Sequence, residues 1–256
     1  MSIKSFLAFV LFATSLHGAV FSFVQVAGAA ATATTVTFSS SNTAGNIIIA
    51  AMGSPGGFPA TSVTDSQGNT YTQVCYPFQN GAGGAFNGAL YVATGIAGGS
   101  SNTVTFHGIN VGSNEWSLVI AEYAVPSNFN ISSIQTADND QMTSFVVTFP
   151  FAKIGSAHLP SEIMIIPIVW ANVPAIASSN GTIRLQQASG STFRLSIADY
   201  DVTSPSSPVA TTITESGGGT YGALGMSLAL DTGAGSGSSV PAGFGFVAKL
   251  EKKESK

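Results

Sequence analysis

The chain has 256 residues, 45% of them hydrophobic and 8% charged, against about 25% charged in an average soluble domain. That hydrophobicity excludes a disordered chain, and the length allows one large or two ordinary domains, each with a core of its own. Before Lys249 there are four basic residues (Lys4, Lys153, Arg184, Arg194) against ten acidic ones, a net charge of −6 with no basic footprint for nucleic acid.

Taken in order, Lys4 precedes the apolar run Ser5 to Ala13, the n- and h-regions of a secretory signal. Residues 1–22 are therefore expected to be a leader, cleaved after Ala19 or Ser22. An uncleaved signal-anchor and a strand of the mature fold are the alternatives. Strands are expected at Phe23 to Ala27, Thr34 to Phe38 and Asn46 to Met52. A hairpin, Thr61 to Thr64 with Thr70 to Cys75, is expected around Asp65-Ser66-Gln67-Gly68-Asn69, where Gly68 supplies a positive φ. Ala89 to Thr94, Thr103 to His107 and Ser117 to Val125 complete the set.

The second half repeats this order. Ser144 to Phe149 answers the second strand, and Glu162 to Trp170 the third. Ala175 to Ser178 and Thr182 to Gln187 replay the hairpin around Asn180-Gly181. Phe193 to Tyr200, Val209 to Thr214 and Tyr221 to Leu230 answer the last three. The fold class expected is all-β: two tandem jelly-roll-like antiparallel β-sandwiches of about eight strands each. They would occupy 23–126 and 133–231, with the junction near Pro126 to Ser133. Residues 232–256 are expected to be a Gly/Ser linker, a last strand at Gly243 to Leu250 and a charged tail.

A sandwich strand normally has one apolar and one polar face. Ile47 to Met52 and Ile163 to Trp170 are apolar on both, and Ser117 to Tyr123 is largely so until Glu122. The third and eighth strands are neighbours in a jelly roll, so their sheet is expected to be covered on its outer face too, by the other half or by another subunit. Ile47, Ile49, Leu118, Ile120, Ile163 and Ile165 are the candidates for that assembly face. In the last strand, Leu224, Met226, Leu228 and Leu230 alternate with Ala223, Gly225, Ser227 and Ala229.

Three segments resemble a group of uncharacterised bacterial and phage-associated proteins with secreted-type β-sandwich repeats. They are Thr43-Ala44-Gly45-Asn46 before an apolar strand, Val63-Thr64-Asp65-Ser66-Gln67-Gly68-Asn69-Thr70-Tyr71, and Leu118-Val119-Ile120-Ala121-Glu122-Tyr123-Ala124-Val125. The resemblance covers most of the first half and implies a jelly-roll-like fold in a surface or extracellular setting. It implies no catalytic residues.

Candidate sites compete with simpler readings. Asp65, Gln67 and Asn69 alternate as in a calcium loop, but the twelfth position is Tyr76 instead of an acid, which favours a turn. Asp138 and Asp140 form a second candidate oxygen cluster, with a polar loop the simpler reading; Asp199 and Asp201 around Tyr200 are similar. His17, His107 and His158 do not cluster, and no metal or cofactor is expected. Cys75, alone, excludes an intrachain disulfide and reads as an inert buried thiol. Glu115 and Glu122 are seven apart, on opposite faces of a regular strand, so paired hydrolase chemistry would need a bulge. There is no nucleophile elbow or phosphate loop. Trp116, Tyr76 and Phe78 are the candidate stacking platforms for a sugar, while Trp170 reads as core.

These features point to a secreted, non-catalytic, self-associating structural protein, a filament, surface-layer or virion-type subunit. The alternative is a carbohydrate-binding module or adhesin, and more remotely a glycoside hydrolase. Expected partners are further copies, other surface proteins or glycans. Nucleic acid is not expected, and a membrane only through an uncleaved leader.

Overall fold

The computed structural model describes residues 21–30, 32–54, 60–75, 87–109, 116–127, 129–149, 162–171, 176–179, 181–189, 193–203 and 209–230. At 75, 87, 130 and 193 and over 132–149, 162–171, 176–179, 201–203 and 209–230 the description is of backbone and strand pairing. These residues form antiparallel sheets, and among them no helix is long and apolar enough to cross a membrane.

The first half supplies β1 (Ser22–Ala30), β2 (Thr35–Thr37), β3 (Ile47–Ser54), β4 (Ser62–Asp65), β5 (Tyr71–Cys75), β6 (Asn87–Thr94), β7 (Thr103–His107) and β8 (Ser117–Ala124). Their order is β1-β8-β3-β6-β5 in one sheet and β2-β7-β4 in the other. Short β-branched and Thr-rich segments punctuated by Gly and Asn explain why these are strands. In the smaller sheet Val36, Val63, Val104 and Phe106 point inward. They meet Ile48, Ala50, Met52, Tyr91, Leu118 and Ile120 of the larger one. Their strand neighbours Thr35, Thr37, Ser62 and Thr64 are exposed, the alternation of a sheet with one wet face.

The second half supplies β9 (Phe129–Phe149), β10 (Glu162–Ala171), β11 (Ile176–Ser179), β12 (Thr182–Ser189), β13 (Phe193–Thr203) and β14 (Val209–Leu230). Two of these strands are long, and each changes partners along its length. Tyr221 to Leu230 pairs with Phe129 to Asp138 on one side and with β10 on the other. Val209 to Thr214 pairs with Ser144 to Phe149, and β11 pairs with β14 at Ile213 to Glu215. Register shifts separate the two parts of β14 where Ser216-Gly217-Gly218-Gly219 lies; glycine without a side chain permits such a bend in a strand. β13 pairs with β10 and β12.

The larger sheet of the first half is covered on both faces. Ile47, Ile49, Ala51, Leu90, Val92, Val119, Ala121 and Tyr123 pack away from the smaller sheet, in one cluster with Leu195 and Ile197 of β13. Strand by strand, β1 lies over β12, β8 over β13, β3 over β10, β6 over β14 and β5 over β9.

Three expectations change. The β4–β5 and β11–β12 segments are not hairpins. β4 pairs with β7 while β5 pairs with β6, and β11 pairs with β14 while β12 pairs with β13. Each turn therefore carries the chain from one set of strands to another. The junction is shorter than expected, because β9 begins at Phe129. The fold also reaches into the expected leader: Ser22 pairs with Ala124, and Phe21 is fully buried in the core.

Two-sided burial gives a specific test. Ile48 and Ile49 are adjacent and both fully buried, in different clusters. Ile48→Ala and Ile49→Ala should each destabilise by about 2–5 kcal/mol in urea unfolding. In a sheet with one wet face, one of the pair would be nearly silent.

Candidate functional site

Three polar clusters stand out, and each is built around a carboxylate. The first is Glu122 of β8, which is 0% exposed. It lies opposite Ile48 of β3 and, through a bulge in β1, opposite Gln25. The register shift between Phe23 and Gln25 leaves Val24 out of the ladder and 40% exposed while aligning Gln25 with the acid, a re-aiming typical of bulges. Gln25 Nε2 donates to Oε2 at 2.7 Å and Asn42 Nδ2 at 2.6 Å. The Thr43 backbone N–H donates to Oε1 at 2.8 Å and Asn46 Nδ2 at 2.7 Å. Each oxygen thus accepts two hydrogen bonds. Gln25 also ties the carbonyls of Ser40 and Ser41, so one buried acid anchors the whole β2–β3 connection to β1 and β8.

The second cluster organises the β4–β5 turn. Asp65 Oδ1 accepts from the backbone N–H groups of Gln67 and Asn69, and Oδ2 from Asn69 Nδ2, Tyr71 Oη and Asn102 Nδ2. Gly68, at φ 76°, makes the turn sterically cheap. Asn69 Oδ1 accepts from the Ala97 N–H at 2.7 Å, and Ser66 Oγ donates to Asn102 Oδ1. Burial pushes the Asp65 carboxyl up, but the hydrogen bonds from Asn102, Asn69 and Tyr71 outweigh it and hold it below the usual carboxylate range. Burial, with the Asp65 charge beside it, drives the Tyr71 phenol far up, so it stays a donor.

The third cluster joins the two halves. Arg184 of β12 donates to Asp199 of β13 through Nε at 2.6 Å and Nη2 at 3.0 Å. Its guanidinium lies 4.2 Å from the centre of the Phe23 ring on β1, a cation–π contact. Phe23 meets Tyr123 edge to face, and Tyr123 Oη donates to Asp199 Oδ2 at 3.1 Å. Burial first, then the Asp199 charge, raises the Tyr123 phenol well above its ordinary value. Ser117 Oγ adds a hydrogen bond to the Gln187 carbonyl.

The expected site residues fall out as follows. Trp116 is a correction: it is fully buried and its indole N–H donates to the Ala33 carbonyl at 2.8 Å, so it offers no stacking platform. Tyr76, Phe78, Glu115, His17 and His158 lie outside the described residues, as do the side chains of Cys75, Asp138, Asp140, Ile163, Ile165, Trp170 and Asp201. The backbone of Asp138, expected in a loop, pairs with Tyr221 inside β9. Asp65 and Asn69 come together with their polar groups engaged in the turn. No group of three or more His, Cys, Asp or Glu side chains that could hold a metal occurs among the described residues.

Ile47 and Ile49 lie on the face against the second half, but Leu118 and Ile120 are a second correction, lying on the opposite face of the same sheet. The register explains it, because Ile47 pairs with Tyr123 and Ile49 with Ala121, which puts the odd residues of β8 on that face. The Glu122 hub was missed. Its signal was present in the Thr43-Ala44-Gly45-Asn46 and Ala121-Glu122-Tyr123 segments, which meet through Asn46 and Glu122. No protein-family model, curated protein or solved structure matches the chain.

Two substitutions separate the roles of the acids. Glu122→Gln replaces one acceptor oxygen with a donor that faces existing donors, and should cost about 1–3 kcal/mol in urea unfolding. For Asp65 the folded carboxyl titrates below its unfolded value of about 3.9, so its contribution is full above that pH and is lost as pH falls through the folded value. The stability gap between wild type and Asp65→Asn should therefore be wide at pH 6 and narrow as the pH falls below about 4.

Proposed function

We propose that the protein is a secreted structural subunit without catalytic activity, built from two tandem jelly-roll-like sandwiches and made to associate. The tandem reading is supported by strand order. In the first half, β1, β8, β3 and β6 share one sheet and β2, β7 and β4 the other, the two-sheet arrangement of a jelly roll. The second half follows the same order once each long strand is counted as two. The start of β9 stands for β1 and the end of β14 for β8, with β10, β13 and β12 for β3, β6 and β5. The end of β9, the start of β14 and β11 then answer β2, β7 and β4.

The observation that carries the structural role is the use made of acidic side chains. All three that are described, Asp65, Glu122 and Asp199, are held by the protein's own donors at turns or between layers. A general acid or nucleophile needs a free, reachable atom, and these carboxylates instead fix strands and connections. Scarce charge and the leader-like N-terminus support a setting outside the cell, where the partners are further copies or other surface proteins.

The native protein tests this directly. Because Phe21 belongs to the core, the mature N-terminus should be Val20, read by mass spectrometry of protein from the medium. Light scattering after size exclusion should show species above monomer mass that grow with concentration. A monodisperse monomer at high concentration would count against assembly.

A further inference from the structure

We propose that the interface between the two halves is exchangeable, so that a second copy of this chain supplies the partner sheet. The proposal rests on the reading of the halves as equivalent units. With those equivalences, the stacking of β1 on β12 is matched by that of β9 on β5, and β8 on β13 by β14 on β6; β3 and β10 meet each other. The units therefore face one another about a pseudo-two-fold axis, the geometry of an isologous dimer interface. Such an interface works equally well within one chain or between two.

What joins the halves covalently is brief. β8 ends at Ala124 and β9 begins at Phe129, with Val125-Pro126-Ser127 in the connection. No described sheet contains strands of both halves. The described contacts between them run through side chains: the apolar cluster around Ile47, Ile49 and Ile197, the Phe23–Arg184 and Tyr123–Asp199 ties, and the Ser117 hydroxyl on the Gln187 carbonyl. Separating the halves breaks no described backbone ladder, yet it exposes a sheet face that is mostly apolar. An opened chain must close again, on itself or on a neighbour. Two chains exchanging reciprocally make a closed dimer, and successive one-way exchange makes an open filament.

Gly28 provides a lock-and-key test. A side chain there would meet Leu185 Cδ2 at 2.8 Å and Gln187 Oε1 at 2.6 Å on β12 of the other half, and the Leu118 carbonyl of its own half at 3.1 Å, so the two tighter contacts are the ones the other half can relieve. Gly28→Val on one full-length chain makes a knob; Leu185→Ala with Gln187→Ala on another makes a hole. In an exchanged heterodimer one interface pairs knob with hole and the other is native, so both are repaired. The two chains are mixed, opened in sub-denaturing urea and returned to buffer. Native mass spectrometry should then show the heterodimer as the main species, with a melting temperature above that of the knob chain alone. All three substitutions placed in one chain should restore a native-like monomer, which shows that the knob and the hole fit.

If that control folds while the mixture yields no heterodimer, exchange is overturned. If the control does not fold, wild-type chains in heavy and light isotope forms replace the variants. Mixed-label dimer that forms after the urea step but not on mixing in buffer then supports exchange, and its absence overturns it. Wild type that assembles while no chains exchange would leave the self-associating subunit standing on another surface. Heterodimer from chains whose wild type stays monomeric at every concentration would leave exchange standing and remove spontaneous assembly.

Discussion

In the middle sheet, neighbouring residues of a single strand are buried in different cores, and this two-sided burial sets the terms for the rest of the chain. Ile47, Ile49 and Ala51 belong to the cluster shared with the second half, and Ile48, Ala50 and Met52 to the cluster between the two sheets of the first half. Fully burying an Ile side chain stabilises by roughly 1.5–3 kcal/mol relative to exposure, so β3 contributes to two layers at once. The cost is a loss of freedom in sequence. A polar residue within β3 would be stranded in one core or the other, and the strand contains none between Asn46 and Ser54. The same constraint makes the two halves depend on each other, because neither can leave without uncovering that sheet.

Glu122 is the exception that the constraint has to accommodate. A buried carboxylate without partners is strongly unfavourable, and here no cation approaches it among the described residues. Four neutral donors fill its acceptor sites instead. Those donors come from a bulged strand and from one connection, so satisfying the charge also fixes where the β2–β3 connection sits. Asp199 solves the same problem with a cation, Arg184, which is 28% exposed and stacked on Phe23. The first device orders one end of a sandwich; the second ties two layers together.

Local features were legible in the sequence. Short β-branched runs and Asn-Gly-type turns marked where strands lie, and apolar residues at both parities marked the sheet with two cores. The turn chemistry of Asp65-Ser66-Gln67-Gly68-Asn69 was also plain. What escaped were features decided by register and long-range pairing. Leu118 and Ile120 look equivalent to Val119 and Ala121 until the ladder with β3 assigns them to opposite faces. A turn flanked by two strands reads as a hairpin, and only the pairing of β4 with β7 and β5 with β6 shows the chain changing sheets. Glu122 stood out only as one of a pair with Glu115, because its donors lie 76 to 97 positions away. Trp116, flanked by Glu115 and Ser117, has polar neighbours but a buried ring.

The interface between the halves differs in chemistry from one side to the other, and that difference bears on which surfaces pair. Where β1 and β8 meet β12 and β13, the contact carries a phenol, an ion pair, a cation–π contact and a Ser hydroxyl. At the opposite side, where β5 meets β9, the described side chains against the core are Val74, Phe129 and Ile131. Apolar contact alone discriminates little between one sheet face and another, whereas a buried phenol and carboxylate each require the other. Tyr123 finds Asp199 only on a second half. Two first halves face to face would set Tyr123 and Phe23 against a surface without Asp199 or Arg184. The polar side of the interface therefore selects unlike halves, and the apolar side supplies adhesion. The same complementarity would make any exchange between chains pair first half with second, closed when reciprocal and directional only when successive.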